Sequence, residues 1–425
     1  MMCTRPSLAL LLASLAAAAC TTPYMEQLPL SEGALESPDG GDPGESVSAP
    51  PNGGTPVDLS VALAAGEAKA LDSFVVQQMT AGRIPGVTLA IVRAGKLAYT
   101  HAYGLADKEA NTPMTTQSIL GIASISKTVT GVSLMQLADE KKVNIDGDVS
   151  KYLLSPLRNP RFPDTPITLR QLLTHTSSIV SNGEVLGPLF AEGADSPSSL
   201  SDLTAQYFYE GGSHYSLNNF GTTAPGSTTT YCNVCLALVG YVIERVSGSP
   251  FQTYTKDKIF APLGMTSTTW LLADTEKSRL ATPYSVDPQS NLQQRAPHLG
   301  LPDWPAGSLK TTASDYARFL AAIASRGAAG GTRILAKTTM DEMLRIQSPL
   351  LGPDQGLIFY ESARNGAKVW GHSGALDGIA SVMDFVPGSG NGAVVLSNTD
   401  WPQSPTGEPA LIAIEAKALE LAAKQ

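Results

Sequence analysis

The sequence is poor in cysteine, in charged residues and in long apolar runs. Four cysteines among 425 residues exclude a small domain stapled by disulfides. Charged residues make up 16% of the chain, the net charge is −9, and no basic stripe is present, which argues against a nucleic-acid partner. Beyond the first 20 residues, no apolar run approaches the roughly 20 residues that a membrane-spanning helix needs. The 43% of hydrophobic residues is typical of a globular protein.

Residues 1–20 are typical of an export signal. Arg5 precedes an apolar run from Leu8 to Ala19 that is too short to span a bilayer. Small residues stand directly before Cys20, which resembles a bacterial lipoprotein signal. We therefore expect export to the periplasm or cell envelope, with a lipid at Cys20 as the only membrane anchor. Cleavage after the alanines without lipidation, and retention as an uncleaved anchor, are the alternatives.

Residues 21–58 are predicted to form a disordered tether. Proline, glycine and serine dominate this segment, and residues 21–60 contain seven acids but no lysine or arginine. Such a composition cannot bury enough apolar surface to offset the entropy lost on ordering. The tether would hold a soluble domain, residues 59–425, away from a membrane.

The patterns in this domain predict strands near both ends of the chain and helices between them. Residues 86–93 and 96–103 favour a β-hairpin around Ala94 and Gly95, and strand patterns return after residue 368. Helical spacing of apolar residues is clearest over 124–141, 233–247 and 313–325, whereas 178–230 shows little periodicity. We expect an α+β fold, with a mostly antiparallel sheet built from both chain ends, flanking helices and an all-α subdomain inserted at roughly 135–310.

One short motif carries the chemistry of a serine nucleophile. Ser124 and Lys127 form an S-x-x-K, and side chains three apart on a helix share a face, so the amine can reach the hydroxyl. An ordinary lysine, with a pKa near 10.4, is charged at pH 7. Accepting a proton from serine therefore requires burial, a neighbouring cation or a second base, for which Tyr231 is the candidate. The alternative for this motif is a helix N-cap followed by a solvated lysine.

Several motifs in a fixed order resemble the serine β-lactamase/penicillin-binding-protein-like hydrolases, in their class C-type and esterase branch. The resemblance covers about residues 65–420. Its motifs are Leu120-Gly-Ile-Ala-Ser-Ile-Ser-Lys, Leu172-Leu-Thr-His-Thr-Ser-Ser, Tyr231-Cys-Asn and Gly371-His-Ser-Gly-Ala-Leu-Asp-Gly. No Gly-x-Ser-x-Gly supports an α/β-hydrolase nucleophile elbow instead.

The resemblance implies a role for each matching residue. Ser124 would be the acylated nucleophile, Lys127 its proton acceptor and Tyr231 the general base and acid. Asn233, His372, Ser373 and Gly374 would bind the substrate, and the N–H groups of Ser124 and Ala375 would form the oxyanion hole. His175 would be structural, and residues 178–230 would line the pocket and set substrate choice. The resemblance implies neither a metal nor an organic cofactor.

Two departures from the family pattern bear on function. His372 stands where β-lactam-active members usually carry lysine, and a mostly neutral histidine favours esterase or peptidase activity, with β-lactamase activity weak or absent. Cys232 and Cys235 flank Asn233, and they are compatible with a local disulfide, buried free thiols, or a redox or metal site.

The sequence therefore predicts an exported serine hydrolase that forms an acyl-enzyme on a small ester, an amide or a cell-wall peptide. A non-catalytic relative that binds peptidoglycan or a protein partner is the alternative. A redox module built on Cys232 and Cys235 is a third hypothesis.

Overall fold

The computed structural model describes residue 58 and residues 60–287, 293–348, 351–352, 354–400 and 407–424. The predicted export signal, Cys20 and almost all of the predicted tether lie outside these residues. Helices pack on an antiparallel sheet in the described part of the chain, which confirms the predicted α+β class.

The main sheet of the described residues has seven strands, which come from both ends of the domain. Those before the helical part are β1 (Gly86–Arg93), β2 (Lys96–Asp107) and β3 (Thr112–Pro113). Those after it are β4 (Tyr360–Arg364), β5 (Ala367–Leu376), β6 (Ile379–Val386) and β7 (Asn391–Ser397). The order is β4-β5-β6-β7-β1-β2-β3, with antiparallel neighbours. Because β1 pairs with β7, the two ends of the domain meet inside one sheet, as predicted.

β1 and β2 form the hairpin predicted around Ala94 and Gly95. These residues have φ angles of 50° and 75°, as a two-residue turn that matches the twist of its strands requires. The Asn391 side chain accepts a hydrogen bond from the Ala94 N–H at 2.9 Å, which holds the turn against β7.

The α-helices of the described residues begin and end as follows: α1 (Ala65–Gly82), α2 (Ser126–Asp139), α3 (Leu169–Leu173), α4 (Gly183–Leu186), α5 (Leu200–Phe208), α6 (Asn233–Ser247), α7 (Phe251–Thr255), α8 (Ala261–Leu263), α9 (Ala313–Ala324), α10 (Lys337–Met343) and α11 (Gly407–Ala423). A π-helix, Lys256–Phe260, joins α7 to α8. Short two-stranded ladders stand apart from the main sheet, among them Leu120–Gly121 with Lys310–Thr311.

The sheet has a core on each face, because successive side chains of a strand point to opposite sides. Leu89 and Ile91 of β1 pack in the same core as residues of α1 and α11. Ala90 and Val92 enter the larger core, which contains α2, α6 and α9. Burial on both faces explains why β1 is apolar along its length rather than alternating.

The prediction of little periodic structure over 178–230 is wrong at α5. Ser199 caps this helix by accepting a hydrogen bond from the Asp202 N–H at 3.0 Å, and its own hydroxyl donates to the Asp202 carboxylate at 2.7 Å. Leu200, Leu203 and Tyr207 are buried along one side. The Ser-x-x-Asp signal of a capped helix start is therefore present in the sequence, and the shortness of the helix hid its periodicity.

No single helix of the described chain has both the length and the apolar character needed to cross a membrane. One pair of helical segments, Asn233–Ser247 and Phe251–Leu263, meets these criteria only when taken together, across a bend of 79°.

Candidate active site

Ser124 lies in a short 3₁₀ turn, Ala123–Ile125, directly before α2. Ala123 is buried and has a φ of 44°, a left-handed backbone that is strained for any residue but glycine and that persists where surrounding contacts enforce it. The Ser126 hydroxyl supplies two such contacts. It donates to the Ala123 carbonyl at 2.5 Å and accepts from the Leu309 N–H at 3.1 Å. These hydrogen bonds therefore fix the backbone of the turn that carries Ser124.

Lys127 lies one helical turn after Ser124, and its side chain is 0% exposed. Its Nζ donates to Ser124 Oγ at 2.8 Å and to the Ala306 carbonyl at 2.8 Å. The buried amine excludes the alternative of a solvated lysine. The serine and the lysine are thus within proton-transfer distance of each other.

The Ala306 carbonyl belongs to a turn, Trp304–Ala306, that the sequence did not single out. The Thr130 hydroxyl of α2 donates to the Pro305 carbonyl at 2.7 Å, one turn along the helix from Lys127. The Trp304 ring packs against Phe251, with ring centroids 5.3 Å apart. These contacts fix the carbonyl that orients the lysine.

Tyr231 reaches this pair from a distant part of the chain. It directly precedes Cys232, the N-cap of α6, and Lys127 Nζ lies 4.9 Å from the centroid of its ring. In its ammonium form, a lysine this close to an aromatic face is attracted to the ring. The structure therefore brings together Ser124, Lys127 and Tyr231, the three residues predicted to exchange protons.

A disulfide joins Cys232 to Cys235 in the first turn of α6. Cys232 lies between Tyr231 and Asn233 in the chain, and its Sγ also accepts a hydrogen bond from the Cys235 N–H at 3.1 Å. Asn233 Oδ1 is buried without a hydrogen-bond partner among the described residues, which leaves an acceptor available in the site. No group of three or more metal-ligating side chains occurs in the described ranges.

β5 carries His372, Ser373, Gly374 and Ala375 past the Ser124 turn. A Cβ atom at Gly374 would lie 2.4 Å from the Ile122 carbonyl oxygen and 2.9 Å from the Ser124 nitrogen, so only glycine fits. β4 pairs with β5 as far as Gly371. The stretch from His372 onwards therefore pairs with β6 but extends beyond β4 on its other side, next to Ser124.

His372 is a neutral residue in this site. Burial, and secondly the charge of Lys127, lower the pKa of His372 to about 3. Its Nδ1 lies 2.5 Å from the Ser373 carbonyl, which can only accept, so Nδ1 carries the proton and Nε2 is an acceptor. The histidine thus supplies no fixed positive charge at pH 7.

The structure places two further residues beside Lys127 and Tyr231: His175, which was predicted to be structural, and Asp303, which the sequence did not single out. The ring of His175 lies 4.4 Å from that of Tyr231. Asp303 is buried at the start of the Trp304–Ala306 turn, and burial raises its pKa to about 6 although the charge of Lys127 acts in the opposite direction. No local motif marks Asp303, because only the folded chain brings it close to the lysine.

Residues 178–230 contact the start of α6 through Ser181. The Ser181 hydroxyl accepts a hydrogen bond from the Val234 N–H at 3.0 Å. Just before this segment, Ser177 Oγ lies 3.3 Å from Cys235 Sγ. The segment therefore borders the site, and its role in substrate choice stays a prediction.

Comparisons with known proteins identify the family of this chain. The β-lactamase family model matches residues 71–417. Protein Rv1367c of Mycobacterium tuberculosis (strain ATCC 25618 / H37Rv) is 26% identical over 282 residues, which span 60% of this chain and 66% of that protein. The match thus covers just under two thirds of the relative's length.

Solved structures share the fold. The octameric penicillin-binding protein homologue from Pyrococcus abyssi has a TM-score of 0.65 at 26% identity, covering 83% of this chain and 77% of that one. The D-amino acid amidase from Ochrobactrum anthropi SV3 has a TM-score of 0.66 at 20% identity, covering 84% and 98%; this likeness shows the fold alone. The predicted β-lactamase/transpeptidase-like fold is confirmed. Since the family match extends over most of the sequence, this chain belongs to the β-lactamase family of serine hydrolases.

Proposed function

We propose that the protein hydrolyses a small ester or amide through an acyl-enzyme at Ser124. The observation that carries the proposal is the 2.8 Å contact between Lys127 Nζ and Ser124 Oγ in a buried setting. A serine hydroxyl is a weak nucleophile until a base takes its proton, and this amine is within reach of it.

The residues divide the reaction as follows. The Ser124 proton passes to Lys127, aided by Tyr231, as Oγ attacks the substrate carbonyl. The oxyanion is held by the N–H groups of Ser124 and Ala375. When the bond to the leaving group breaks, Tyr231 delivers the proton to the departing oxygen or nitrogen. Water then adds to the acyl-enzyme by the reverse proton path and releases the acid and free Ser124.

The substrate class follows from the charge of the site. A lysine in place of His372 would be a fixed cation for a substrate carboxylate, whereas His372 is neutral at pH 7. We infer that esters and amides without a carboxylate next to the scissile bond are better substrates than β-lactams. D-Ala peptides of the cell wall, which end in a carboxylate, stay candidate substrates because of the family resemblance and the proposed compartment. Asn233 would hydrogen-bond the acyl part of the substrate.

The compartment is a proposal on the sequence alone. An export signal ending at Cys20 would place the enzyme in the cell envelope, where cell-wall peptides occur. Membrane fractionation of cells that carry the full chain tests it: the protein should sediment with membranes, and a Cys20→Ala variant should become soluble.

Labelling with a fluorophosphonate probe tests the catalytic proposal. We expect one covalent adduct at Ser124, identified by peptide mass spectrometry, and no adduct in Ser124→Ala. Hydrolysis by this variant should fall by at least about 10³-fold, because the activated nucleophile is lost. Ser133→Ala is the matched control: it removes a buried hydroxyl from the same helix, one that donates to the Val129 carbonyl at 2.8 Å, and it should be labelled like the wild type.

A panel of substrates then distinguishes esterase and amidase activity from β-lactamase activity. It contains p-nitrophenyl esters, D-amino acid amides, D-Ala-D-Ala peptides and nitrocefin. We expect turnover of an ester or an amide that exceeds turnover of nitrocefin. A folded protein that neither reacts with the probe nor turns over any of the panel would contradict the proposal and favour the non-catalytic alternative.

A further inference from the structure

We propose that His175 is a positioning residue that holds Tyr231 in place for proton transfer. His175 follows α3 and lies more than fifty residues before Tyr231 in the chain. The inference rests on the proposed function, because it assigns His175 a part in the reaction at Ser124.

His175 binds the backbone on both sides of Tyr231. Its carbonyl oxygen accepts a hydrogen bond from the Thr230 N–H at 2.8 Å. Its Nδ1 accepts a hydrogen bond from the Cys232 N–H at 3.2 Å. One residue therefore restrains the chain just before and just after the tyrosine.

The imidazole also restrains the tyrosine side chain. The ring centroids of His175 and Tyr231 are 4.4 Å apart, at an interplanar angle of 44°. Aromatic rings at this distance and tilt attract each other, and this attraction adds to the stabilisation that comes from burying their apolar area. The phenol is thus supported on one side by His175, while the Lys127 amine lies near the face of its ring.

Only the neutral ring can act in this way. Because Nδ1 accepts a hydrogen bond, the proton of the neutral imidazole is on Nε2, and a second proton would destroy the acceptor. The Tyr231 ring packs against the imidazole, and Lys127 and His372 act on it through their charges. Burial, then the charges of Lys127 and of His372 in its protonated form, hold the pKa of His175 well below its ordinary value. The contact to Cys232 therefore persists at neutral pH.

The backbone of His175 supports the same conclusion. Its φ of 58° is left-handed, a conformation that costs energy for a residue other than glycine and that is found at functional sites when surrounding contacts enforce it. The strained conformation lets the carbonyl and the ring bind two different peptide groups at once. Asparagine and glycine tolerate this backbone best, which makes them the informative replacements.

A double-mutant cycle with Tyr231→Phe tests the proposal. His175→Gly keeps the backbone conformation but removes the Nδ1 acceptor and the ring. We expect it to slow fluorophosphonate labelling of Ser124, and kcat for the best ester, by about 100-fold, with KM changed less than about threefold, since misplacing a catalytic group has this size of effect. In the Tyr231→Phe background the same substitution should cost less than about threefold, because no phenol remains to be positioned.

His175→Asn is the rescue variant. Its side-chain oxygen occupies about the position of Nδ1, so it should restore the rate to within about tenfold of the wild type. Thr174→Ala, which removes a hydroxyl that donates to the Arg170 carbonyl at 2.9 Å, is the control for disturbance of this segment. It should stay within about threefold of the wild type in both backgrounds.

Equal losses from His175→Gly in the two backgrounds would overturn the inference, as would an asparagine variant no faster than the glycine variant. If His175→Gly does not fold, the double-mutant cycle is carried out with His175→Asn instead. The loss of rate caused by His175→Asn should then vanish in the Tyr231→Phe background. A wild type that is not labelled at Ser124 would refute the proposed function instead, whereas labelling indifferent to His175 would refute this inference alone.

Discussion

Lys127 must take a proton from Ser124 while its amine is buried next to an acid. The charge of Lys127 counters the effect of burial on the pKa of Asp303, and by reciprocity a charged Asp303 favours the ammonium form of the lysine. The Ala306 carbonyl, which accepts from Nζ at 2.8 Å, favours the same form. At the scale of single residues, the surroundings of Lys127 thus set the equilibrium between its neutral amine, which can accept a proton, and its ammonium form.

Replacing Asp303 with asparagine should shift the protonation equilibrium of Lys127 towards the neutral amine. Removing the negative charge disfavours the ammonium form, so the acid limb of the kcat/KM profile in Asp303→Asn should move to lower pH by about one unit. Asp315→Asn is the control: it alters another buried carboxylate, one that accepts from the Ser267 N–H at 2.6 Å, and it should leave the limb in place. An acid limb that moves to higher pH in Asp303→Asn would contradict the assignment.

At the scale of elements, the start of α6 fixes the positions of Tyr231 and Asn233 relative to each other. Cys232, which lies between the two site residues in the chain, is the N-cap of the helix, and its disulfide to Cys235 closes the first helical turn. Burial of both sulfurs removes them from easy reaction with other thiols. The disulfide therefore acts on the site by fixing the backbone, and the redox-module hypothesis requires an exchange that this burial opposes.

Removing the disulfide should affect turnover while the fold remains. The Cys232→Ser/Cys235→Ser variant keeps a good N-cap and opens a loop of about four residues, for which chain entropy predicts a loss of about 2 kcal/mol or less in the free energy of unfolding. We expect kcat to fall about tenfold, measured with and without a strong reductant. Because both sulfurs are buried, reductant should leave the turnover of both the folded wild type and the variant unchanged; a wild type that is activated by reductant would instead support the redox hypothesis.

At the scale of the whole molecule, a buried charge cluster ties the last helix to the sheet. Arg364 of β4 contacts Asp384 of β6 at 2.7 Å and Glu415 of α11 at 2.9 Å. One guanidinium cannot neutralise two buried carboxylates. Burial raises the pKa of Asp384 to about 6, and burial together with the neighbouring Asp384 raises the pKa of Glu415 well above its usual value.

These raised pKa values predict that stability falls as pH rises. Between the ordinary carboxyl pKa near 4 and the raised native pKa values, the native state binds more protons than the unfolded state. The stabilisation is therefore complete below pH 4 and is lost as the pH rises through the native pKa values, the lower of which is about 6. Glu415→Gln removes one titrating group and should reduce the loss of unfolding free energy between pH 5 and pH 8, by about 1.4 kcal/mol for each pH unit of this range that lies below the native pKa of Glu415. Urea unfolding at the two pH values measures it.

The matched control for this cluster lies on the same helix. Glu420 bonds Lys417 at 3.0 Å near the surface, and its pKa is lowered. Glu420→Gln should therefore not flatten the dependence of stability on pH. A Glu415→Gln variant that loses as much stability as the wild type between pH 5 and pH 8 would show that the cluster does not hold the extra proton.

Local patterns in the sequence determined the parts of the fold that depend on near neighbours. The hairpin at Ala94 and Gly95, the helix Asn233–Ser247 and the Ser124–Lys127 contact follow from turn chemistry, apolar spacing and the geometry of one helical turn. The distribution of strand and helix patterns predicted the α+β class, and the family motifs added the β-lactamase/transpeptidase-like fold. The short helix α5 escaped because nine residues show too few periods to stand out.

The tertiary structure alone decided which distant groups meet at Ser124. The meeting of Tyr231 with Ser124 and Lys127 was expected only from the family resemblance. The Ala306 carbonyl, Asp303 and His175 approach Lys127 and Tyr231 from segments far apart in the chain, and no spacing rule connects them. Their positions are set by packing in the larger core, by the hydrogen bonds that hold the Trp304–Ala306 turn to α2, and by those that join His175 to the start of α6. Burial, which sets the charge states of these groups, is likewise a property of the folded chain as a whole.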